Sequence, residues 1–233
     1  MMKEQKALIK LIVIALINCF ILINVHAQNA GLNKNLHIKS IPYVLSVFNS
    51  PIDIEIRNDS VVKMIAPGKT NLFNSPGGDY YKQDAPMLLF HPDRNFLFSV
   101  KVDADLKEVY DVAALVLYQN NDVWAKLCFE NSVNKEATVV SVVTKRYSDD
   151  CNSTKISQKY IYLAVSKRGN EFSFHYSTDN KNWNLVRHFR IDFDEHELMV
   201  GFAVHGSRGK RFSAEFSNIK YSDKALGNMR TYR

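Results

Sequence analysis

Apolar and polar side chains alternate every second residue through most of this 233-residue chain, and this period constrains the fold more than any other feature. In one segment, Phe172, Phe174 and Tyr176 are separated by Ser173 and His175. Successive side chains of a β-strand point to opposite faces, so each such segment predicts a strand with one buried face. After the N-terminal segment, no stretch of 12 or more residues shows a helical period. The predicted strands are Ile52–Arg57, Val61–Ile65, Phe96–Val102, Val109–Gln119, Asp122–Glu130, Thr138–Arg146, Tyr160–Lys167, Glu171–Ser177, Trp183–Phe189, Leu198–His205 and Phe212–Tyr221.

Short turns rich in Gly and Asn separate these segments, as expected where a positive φ or a side-chain-to-backbone hydrogen bond is needed. Many short strands without an internal repeat favour an all-β, two-sheet antiparallel sandwich over a propeller. One connection is unusually long, because residues 66–86 hold three of the six prolines and three of the nine glycines. Such loops are usually functional or disordered, and Phe73, Tyr80 and Tyr81 predict that this one is packed.

The N-terminus has the pattern of an export signal. Three lysines precede an apolar run over residues 11–25, and Val25 and Ala27 predict cleavage before Gln28. An uncleaved anchor and lipidation of Cys19 are the alternatives. We therefore predict an exported protein, periplasmic or extracellular, with no stable membrane span after cleavage. The predicted limits are a signal peptide at 1–27, a polar leader at 28–40, the sandwich at 41–221 and a flexible tail at 222–233.

The charge pattern argues against a nucleic-acid partner. The formal net charge is +6, and removal of three lysines and one glutamate with the signal leaves +4. The basic pairs Lys145–Arg146, Lys167–Arg168 and Lys210–Arg211 each lie beside a turn, which is typical of solvated loop charge. No Cys-x-x-Cys or His-Glu-x-x-His pattern occurs, so we predict no metal and no cofactor. Cys128 and Cys151 remain after the signal, and a disulfide between them stays open at this point.

The segment 122–151 predicts a groove lined by functional side chains. Its first strand turns Ala125, Leu127 and Phe129 to one face, which we expect to be buried between the sheets. An acidic turn, Ser148-Asp149-Asp150, is expected to follow the next strand. The other face of the first strand presents an aromatic ring, a cation and a carboxylate in a row: Trp124, Lys126, Cys128 and Glu130.

This row suits a sugar, because the apolar face of a pyranose stacks on an indole ring while its hydroxyls need polar partners. In another interpretation, Trp124 only plugs the sheet surface and Lys126 pairs with Glu130. Two further alternatives are a catalytic carboxylate pair and a Ca²⁺ site at the acidic turn. Trp183 is expected to cover the rim of the sandwich. The predicted glycan-binding residues are Trp124, Lys126, Glu130, Thr144, Asp149, Asp150, Asn152 and His205.

Several segments together also carry a family likeness: TNLFNSPGG and APMLLF within residues 70–90, FLFSVKV, YDVAALVLYQNNDVWAKLCFE, VSVVTKRYSDD and YLAVSKRGNEFSFHYSTDNKNWNLVRHF. With these the chain resembles the exported concanavalin A-like family grouped with the regulation-of-enolase protein, over roughly Ile52–Tyr221. That family is described mainly as a domain of unknown function. The resemblance implies a lectin/glucanase-type jelly roll of two curved antiparallel sheets, one of them concave.

The resemblance implies a fold without choosing a function, because relatives of this sandwich bind glycans, hydrolyse them or serve as accessory domains. The Glu-x-Asp-x-(x)-Glu strand of the superfamily's glucanases is absent. The sequence hypothesis is therefore an exported protein that binds an oligo- or polysaccharide on the concave face without catalysis. The alternatives are a glycan hydrolase or lyase that uses Glu130 with Asp149 or Asp150, and a protein interaction module without a small ligand.

Overall fold

The computed structural model describes residues 36–233, and every regular element in this range is a β-strand. The strands are β1 (Leu36–Ile38), β2 (Ile41–Phe48), β3 (Asp53–Arg57), β4 (Val61–Pro67), β5 (Leu72–Asn74), β6 (Tyr81–Gln83), β7 (Met87–Phe90), β8 (Phe96–Ala104), β9 (Asp111–Asn120), β10 (Val123–Asn131), β11 (Ala137–Lys145), β12 (Tyr147–Lys155), β13 (Tyr160–Arg168), β14 (Glu171–Ser177), β15 (Asn184–Arg190), β16 (Met199–Gly206) and β17 (Arg211–Ser222).

Two large sheets form the sandwich, and their strand pairs are antiparallel. The eight-stranded sheet has the order β1-β2-β7-β16-β9-β10-β11-β12. The seven-stranded sheet has the order β15-β14-β13-β8-β17-β4-β3, so the last strand of the chain lies between β8 and β4. The prediction of an all-β, two-sheet antiparallel sandwich is confirmed.

The main core lies between the two sheets and is rich in aromatic rings. Phe202 of the eight-stranded sheet contacts Phe98 and Phe216 of the other sheet, with ring centroids 5.5 and 4.8 Å apart. Such edge and tilted contacts add to the free energy of burying the rings. Ala125, Leu127 and Phe129 of β10 also point into this core, as the two-residue period predicts; the residues between them point to the opposite face.

A second apolar layer covers the opposite face of the eight-stranded sheet. The short two-stranded sheet of β5 and β6, within the long connection 66–86, lies over this face. Leu72 of this cover packs in one cluster with Trp124, Cys128 and Val142 of the sheet. Packing of the connection was predicted from its aromatic residues, whereas its burial of Trp124 was not.

Six strands differ from the sequence prediction. The eleven predicted strands are present, and β1, β2, β5, β6, β7 and β12 are additional. The most consequential is β12, because Ser148-Asp149-Asp150 was predicted to form a turn and instead lies within this strand. The turn is at Arg146, whose φ is +68°. β12 is an edge strand with one neighbour, so its outer residues are polar and exposed and lack a strong alternating pattern.

The limits of the folded domain are also wider than predicted. β1 begins at Leu36, so the end of the predicted polar leader belongs to the sheet. Within the tail at 222–233, Leu226 and Met229 are buried. The ring of Tyr232 stacks on Trp183 with centroids 4.2 Å apart, so the tail packs on the sandwich instead of extending freely. The signal peptide predicted at 1–27 lies outside the described residues, and from Leu36 onward no helix suited to crossing a membrane is found.

Candidate functional site

A pocket of about 410 Å³ opens on the covered face of the eight-stranded sheet. Its floor comes from β10, β11, β12 and β16, and its walls come from the long connection and two turns. The volume lies within the range of pockets that bind small ligands. The lining residues are Asn71, Phe73, Tyr80, Tyr110, Lys126, Glu130, Val140, Val142, Asp150, His205, Ser207 and Arg208.

The strand registers place four ionisable side chains around an apolar floor. Lys126 and Asp150 lie two strands apart in one row across the sheet, because both pair with Val142 of the strand between them. Glu130 and His205 lie two strands apart in a second row, because both pair with Val112. Within a row the Cα atoms are separated by about 10 Å, and the rows are four residues, or roughly 13 Å, apart along β10. Val140 contributes to the apolar floor among them. The arrangement offers polar groups at the margins and an apolar surface in the middle.

Lys126 is almost completely buried, and its ammonium group has defined partners. Its Nζ donates a hydrogen bond to the carbonyl of Leu72, at 2.8 Å, and lies 3.3 Å from Nε2 of His205. The same ammonium lies 5.7 Å from the centroid of the Trp124 ring, a distance compatible with a cation–π contact. Lys126 therefore joins the cover, through Leu72, to the floor of the pocket.

His205 is neutral in this arrangement. Burial and the positive charge of Lys126 both hold the pKa of His205 well below its usual value. Because an ammonium can only donate, Nε2 of the imidazole accepts from Lys126, and the ring proton resides on Nδ1. Nδ1 is buried and has no hydrogen-bond partner within residues 36–233. The charge of Lys126 thus sets the tautomer of the imidazole.

Glu130 has the most perturbed carboxyl group of the pocket. Burial raises the pKa of Glu130 to about 7; the charge of Lys126 lowers this value and the charge of Asp150 raises it. Near neutral pH the side chain is therefore a mixture of carboxylic acid and carboxylate. It can donate or accept a hydrogen bond, whereas an ordinary glutamate at that pH only accepts.

The structure brings four of the eight predicted site residues together in the pocket: Lys126, Glu130, Asp150 and His205. The remaining four are not among its lining residues. Trp124 is 0% exposed beneath the long connection, so it offers no ring face to a ligand in this conformation, and the expectation of an accessible aromatic plate is corrected. The plug interpretation of Trp124 fits its environment.

The other three predicted residues lie outside the pocket for separate reasons. The Thr144 hydroxyl is buried and hydrogen-bonds to that of Ser148, at 2.9 Å. Asp149 points away from its neighbour Asp150 and forms an ion pair with Arg187, with N and O atoms 3.1 Å apart. Asn152 is exposed on edge strand β12. Consecutive residues of a strand face opposite sides, so Asp149 and Asp150 cannot both enter the pocket.

Several wall residues were not predicted from the sequence. Tyr110 precedes β9 with a φ of +67°, and the Arg208 guanidinium lies 5.5 Å from the centroid of its ring. Phe73 and Tyr80 come from the long connection. The long connection was noted as an unusual loop, but neither turn carries a pattern that marks it as part of a site.

Neither cysteine of the described residues 36–233 is among the residues that line the pocket. Both Cys128 and Cys151 are free: Cys128 is buried, Cys151 is exposed, and they lie on opposite faces of their strands. Burial raises the pKa of the Cys128 thiol to about 12, which keeps it protonated. Across residues 36–233, no group of three or more His, Cys, Asp or Glu side chains is arranged to hold a metal ion.

The two-sheet architecture and a pocket on one sheet face place the protein among the concanavalin A-like β-sandwiches. Residues 47–224 match the model of the family described as "Protein of unknown function (DUF1349)". The match covers most of the chain, and the chain belongs to this family. No curated protein matches it.

Solved structures share this fold at low sequence identity. A functionally unknown protein from Saccharomyces cerevisiae has a TM-score of 0.72 and 20% identity, covering 78% of this chain and 97% of its own. A xylan β-1,4-xylosidase from Bacillus halodurans has a TM-score of 0.55 and 13% identity, with coverage of 76% of this chain but 38% of the xylosidase. An alginate lyase from Klebsiella pneumoniae has a TM-score of 0.50 and 9% identity, covering 72% and 83%. At these identities the likeness concerns the fold alone, and it agrees with the concanavalin A-like prediction.

Proposed function

We propose that the protein binds a carbohydrate in the pocket of its eight-stranded sheet and does not modify it. The observation that carries this proposal is the combination of an apolar floor, aromatic walls and polar groups of both hydrogen-bonding kinds at the margins. A sugar ring has this character, with apolar C–H faces and a rim of hydroxyls that donate and accept. The buried ammonium of Lys126 and the carboxyl groups of Glu130 and Asp150 would orient the hydroxyls.

The structural neighbours support the class of ligand without identifying it. Several come from proteins named for polysaccharides, among them the xylosidase, the alginate lyase and a xyloglucan-locus protein of Bacteroides ovatus. The chain matches only about a third of the length of the glycoside hydrolase 43 structures, so their whole activities do not transfer to it. Xylan, xyloglucan and alginate are therefore the first polysaccharides to test.

The positions of the two carboxyl groups favour binding over hydrolysis. Glu130 and Asp150 lie two strands apart and four residues out of register, which separates their Cα atoms by roughly 16 Å in a regular sheet. The carboxyl groups of a retaining glycosidase are about 5–5.5 Å apart and those of an inverting glycosidase about 6.5–9.5 Å, so this register disfavours the retaining geometry in particular. Asp149, the other predicted partner of Glu130, is held on the outside by Arg187.

Affinity electrophoresis of the full chain in gels that contain xylan, xyloglucan or alginate tests the proposal. Asp150→Ala should lose retardation by the polysaccharide that retards the wild type, on the order of tenfold in affinity, since a polar group at a binding site is removed. Asp149→Ala is the matched control, because it removes an exposed carboxylate one residue away outside the pocket. Absence of retardation by every polysaccharide, or equal losses in the two variants, would refute the proposal.

A second candidate function is a glycan hydrolase or lyase, and the raised pKa of Glu130 favours it. A carboxyl group with a pKa near 7 is suited to act as a general acid at neutral pH. Incubation of the full chain with the same three polysaccharides, followed by assays for reducing ends and for unsaturated products, tests this function. Loss of turnover in Glu130→Gln with binding retained would establish it over the binding-only proposal.

Two further expectations from the sequence remain proposals. Export would place the protein where polysaccharides are encountered, and mass spectrometry of the periplasmic and secreted fractions tests it, with Gln28 expected as the mature N-terminus. The likeness to the family grouped with the regulation-of-enolase protein remains a prediction. A protein interaction module without a small ligand is the alternative if every glycan fails to bind.

A further inference from the structure

Exposed aromatic residues on this protein concentrate at one place beside the pocket. Six large apolar side chains are strongly exposed in residues 36–233, and three of them are Tyr80 (43%), Tyr81 (47%) and Tyr147 (41%). Single exposed apolar residues are common on any protein surface and need no explanation. Three tyrosines around one short hairpin form a cluster, and its members have both an apolar face and a polar end.

The three tyrosines connect the pocket to the outer surface of the cover. Tyr80 belongs to the pocket wall. The next residue, Tyr81, starts β6 and turns its ring to the other side, where its centroid lies 6.2 Å from that of Tyr147 at an interplanar angle of 51°. Gly78 lies at the tip of the hairpin with a φ of +73°, and a Cβ at this position would be 3.7 Å from the Tyr147 ring and 3.8 Å from the Tyr81 hydroxyl. We call Tyr81 and Tyr147 the tyrosine platform.

The platform is held in place by its surroundings. The Arg146 guanidinium lies 5.4 Å from the centroid of the Tyr147 ring and supports it by a cation–π contact. The hairpin is fixed to the sheet by the Asn74 side chain, which donates hydrogen bonds to the carbonyls of Asn121 and Arg146, each at 3.0 Å. Rigid aromatic side chains with few rotatable bonds lose little conformational entropy on binding. A fixed pair of exposed rings is thus prepared for a ligand.

From this geometry we propose that the tyrosine platform is a second carbohydrate subsite, which binds sugar units of a chain whose end lies in the pocket. This inference rests on the proposed function and extends it from a single-sugar site to recognition of a linear oligosaccharide. Pyranose rings stack on tyrosine rings by their C–H faces, and the phenol hydroxyls remain available to sugar hydroxyls. Polar groups are present at the hairpin tip, where the Ser75 hydroxyl donates a hydrogen bond to the Asp79 carboxylate at 2.8 Å.

Isothermal titration calorimetry with a series of oligosaccharides tests the platform. The probes are oligosaccharides of increasing length, from the disaccharide upward, prepared from whichever of xylan, xyloglucan and alginate retards the protein. Wild-type affinity should rise on the order of tenfold along the series, since a sugar unit stacked on the platform as a whole contributes about this much at a binding site. Tyr81→Ala and Tyr147→Ala should remove this rise and leave the disaccharide affinity unchanged, whereas Tyr147→Phe should keep it.

A control variant and the pattern of failures separate the two proposals. Tyr160→Ala removes a tyrosine of a comparable ring pair on the other sheet, whose centroids are 6.1 Å apart, and should bind every probe like the wild type. Affinity independent of chain length, or platform variants that bind the longest probe as tightly as the wild type, would overturn the platform and leave the pocket intact. Failure of the wild type to bind any probe would overturn the pocket proposal and the platform with it.

Discussion

Replacement of Glu130 by glutamine should change how the stability of the protein depends on pH. The pKa of Glu130 is raised from its ordinary value of 4.5 to about 7, mainly by burial. A carboxyl group with a higher pKa in the folded state than in the unfolded state favours folding when it is protonated. Its contribution is therefore complete below an ordinary glutamate pKa and is lost as the pH rises through about 7.

The size of this effect follows from the shift. A change of one pKa unit corresponds to about 1.4 kcal/mol, so ionisation of Glu130 would lower the free energy of unfolding by about 3 kcal/mol if the whole pKa shift acted. Glu130 is partly exposed, and solvent screening reduces the expected loss to roughly 2 kcal/mol. Glutamine is neutral at every pH and keeps the shape of the protonated acid. Glu130→Gln should match the wild type near pH 4, below the ordinary glutamate pKa, and exceed its free energy of unfolding by roughly 2 kcal/mol near pH 9.

Equilibrium urea unfolding, followed by tryptophan fluorescence across this pH range, measures the difference directly. Other groups titrate in the same range, and subtraction of the variant from the wild type removes their contributions. The control is Glu136→Gln, because Glu136 forms a surface ion pair with Lys155 and its loss should change the free energy of unfolding only slightly. Parallel curves for the wild type and Glu130→Gln would show that the pKa of Glu130 is not raised in the folded state.

Three further predictions concern buried groups. Trp124→Ala should lower the free energy of unfolding by about 3–5 kcal/mol in urea titrations, because it leaves a cavity at a fully buried position. An unchanged urea midpoint would indicate that the Trp124 side chain is exposed. Lys126→Met should raise the pKa of His205 in an NMR titration, because it removes the positive charge that lowers it, and an unchanged pKa would exclude that contact. Burial lowers the pKa of His175 to about 4, so its contribution to stability is present above about pH 6.5 and is lost as the pH falls toward 4. His175→Leu should therefore lose less stability than the wild type between these pH values in urea titrations, and equal losses would contradict this account.

The sequence predicts most of the fold because the two-residue period comes from burial on one face of a strand. That signal is strong for β10 and β14, which lie inside a sheet and pack on the core. It is weak for β12, which has one neighbour and mostly exposed residues, and for β5 and β6, which are three residues long each. Strands at edges and in short hairpins are specified by tertiary contacts that a local pattern does not contain.

The candidate site could be predicted only in part for a related reason. Periodicity places Lys126 and Glu130 on one face of β10, and in the structure both side chains lie on that face, at the pocket. It cannot tell that Leu72, 54 residues away in the chain, covers Trp124 and accepts a hydrogen bond from Lys126. The same limit applies to His205, which meets Lys126 from 79 residues away. Long-range packing decides which polar residues of a face remain accessible, and the alternation of a single strand carries no information about it.

The central place of β17 has a consequence for how the protein acquires its structure. This strand follows all the other described strands in chain order, and it pairs with β8 on one side and β4 on the other. The seven-stranded sheet therefore stays divided into two parts, β15-β14-β13-β8 and β4-β3, until residues 211–222 pair with both. Non-local strand pairing of this kind makes folding slow, because distant parts of the chain must meet first. The sheet and the core that it covers therefore gain their full stability in one late step, when a single strand joins β8 to β4.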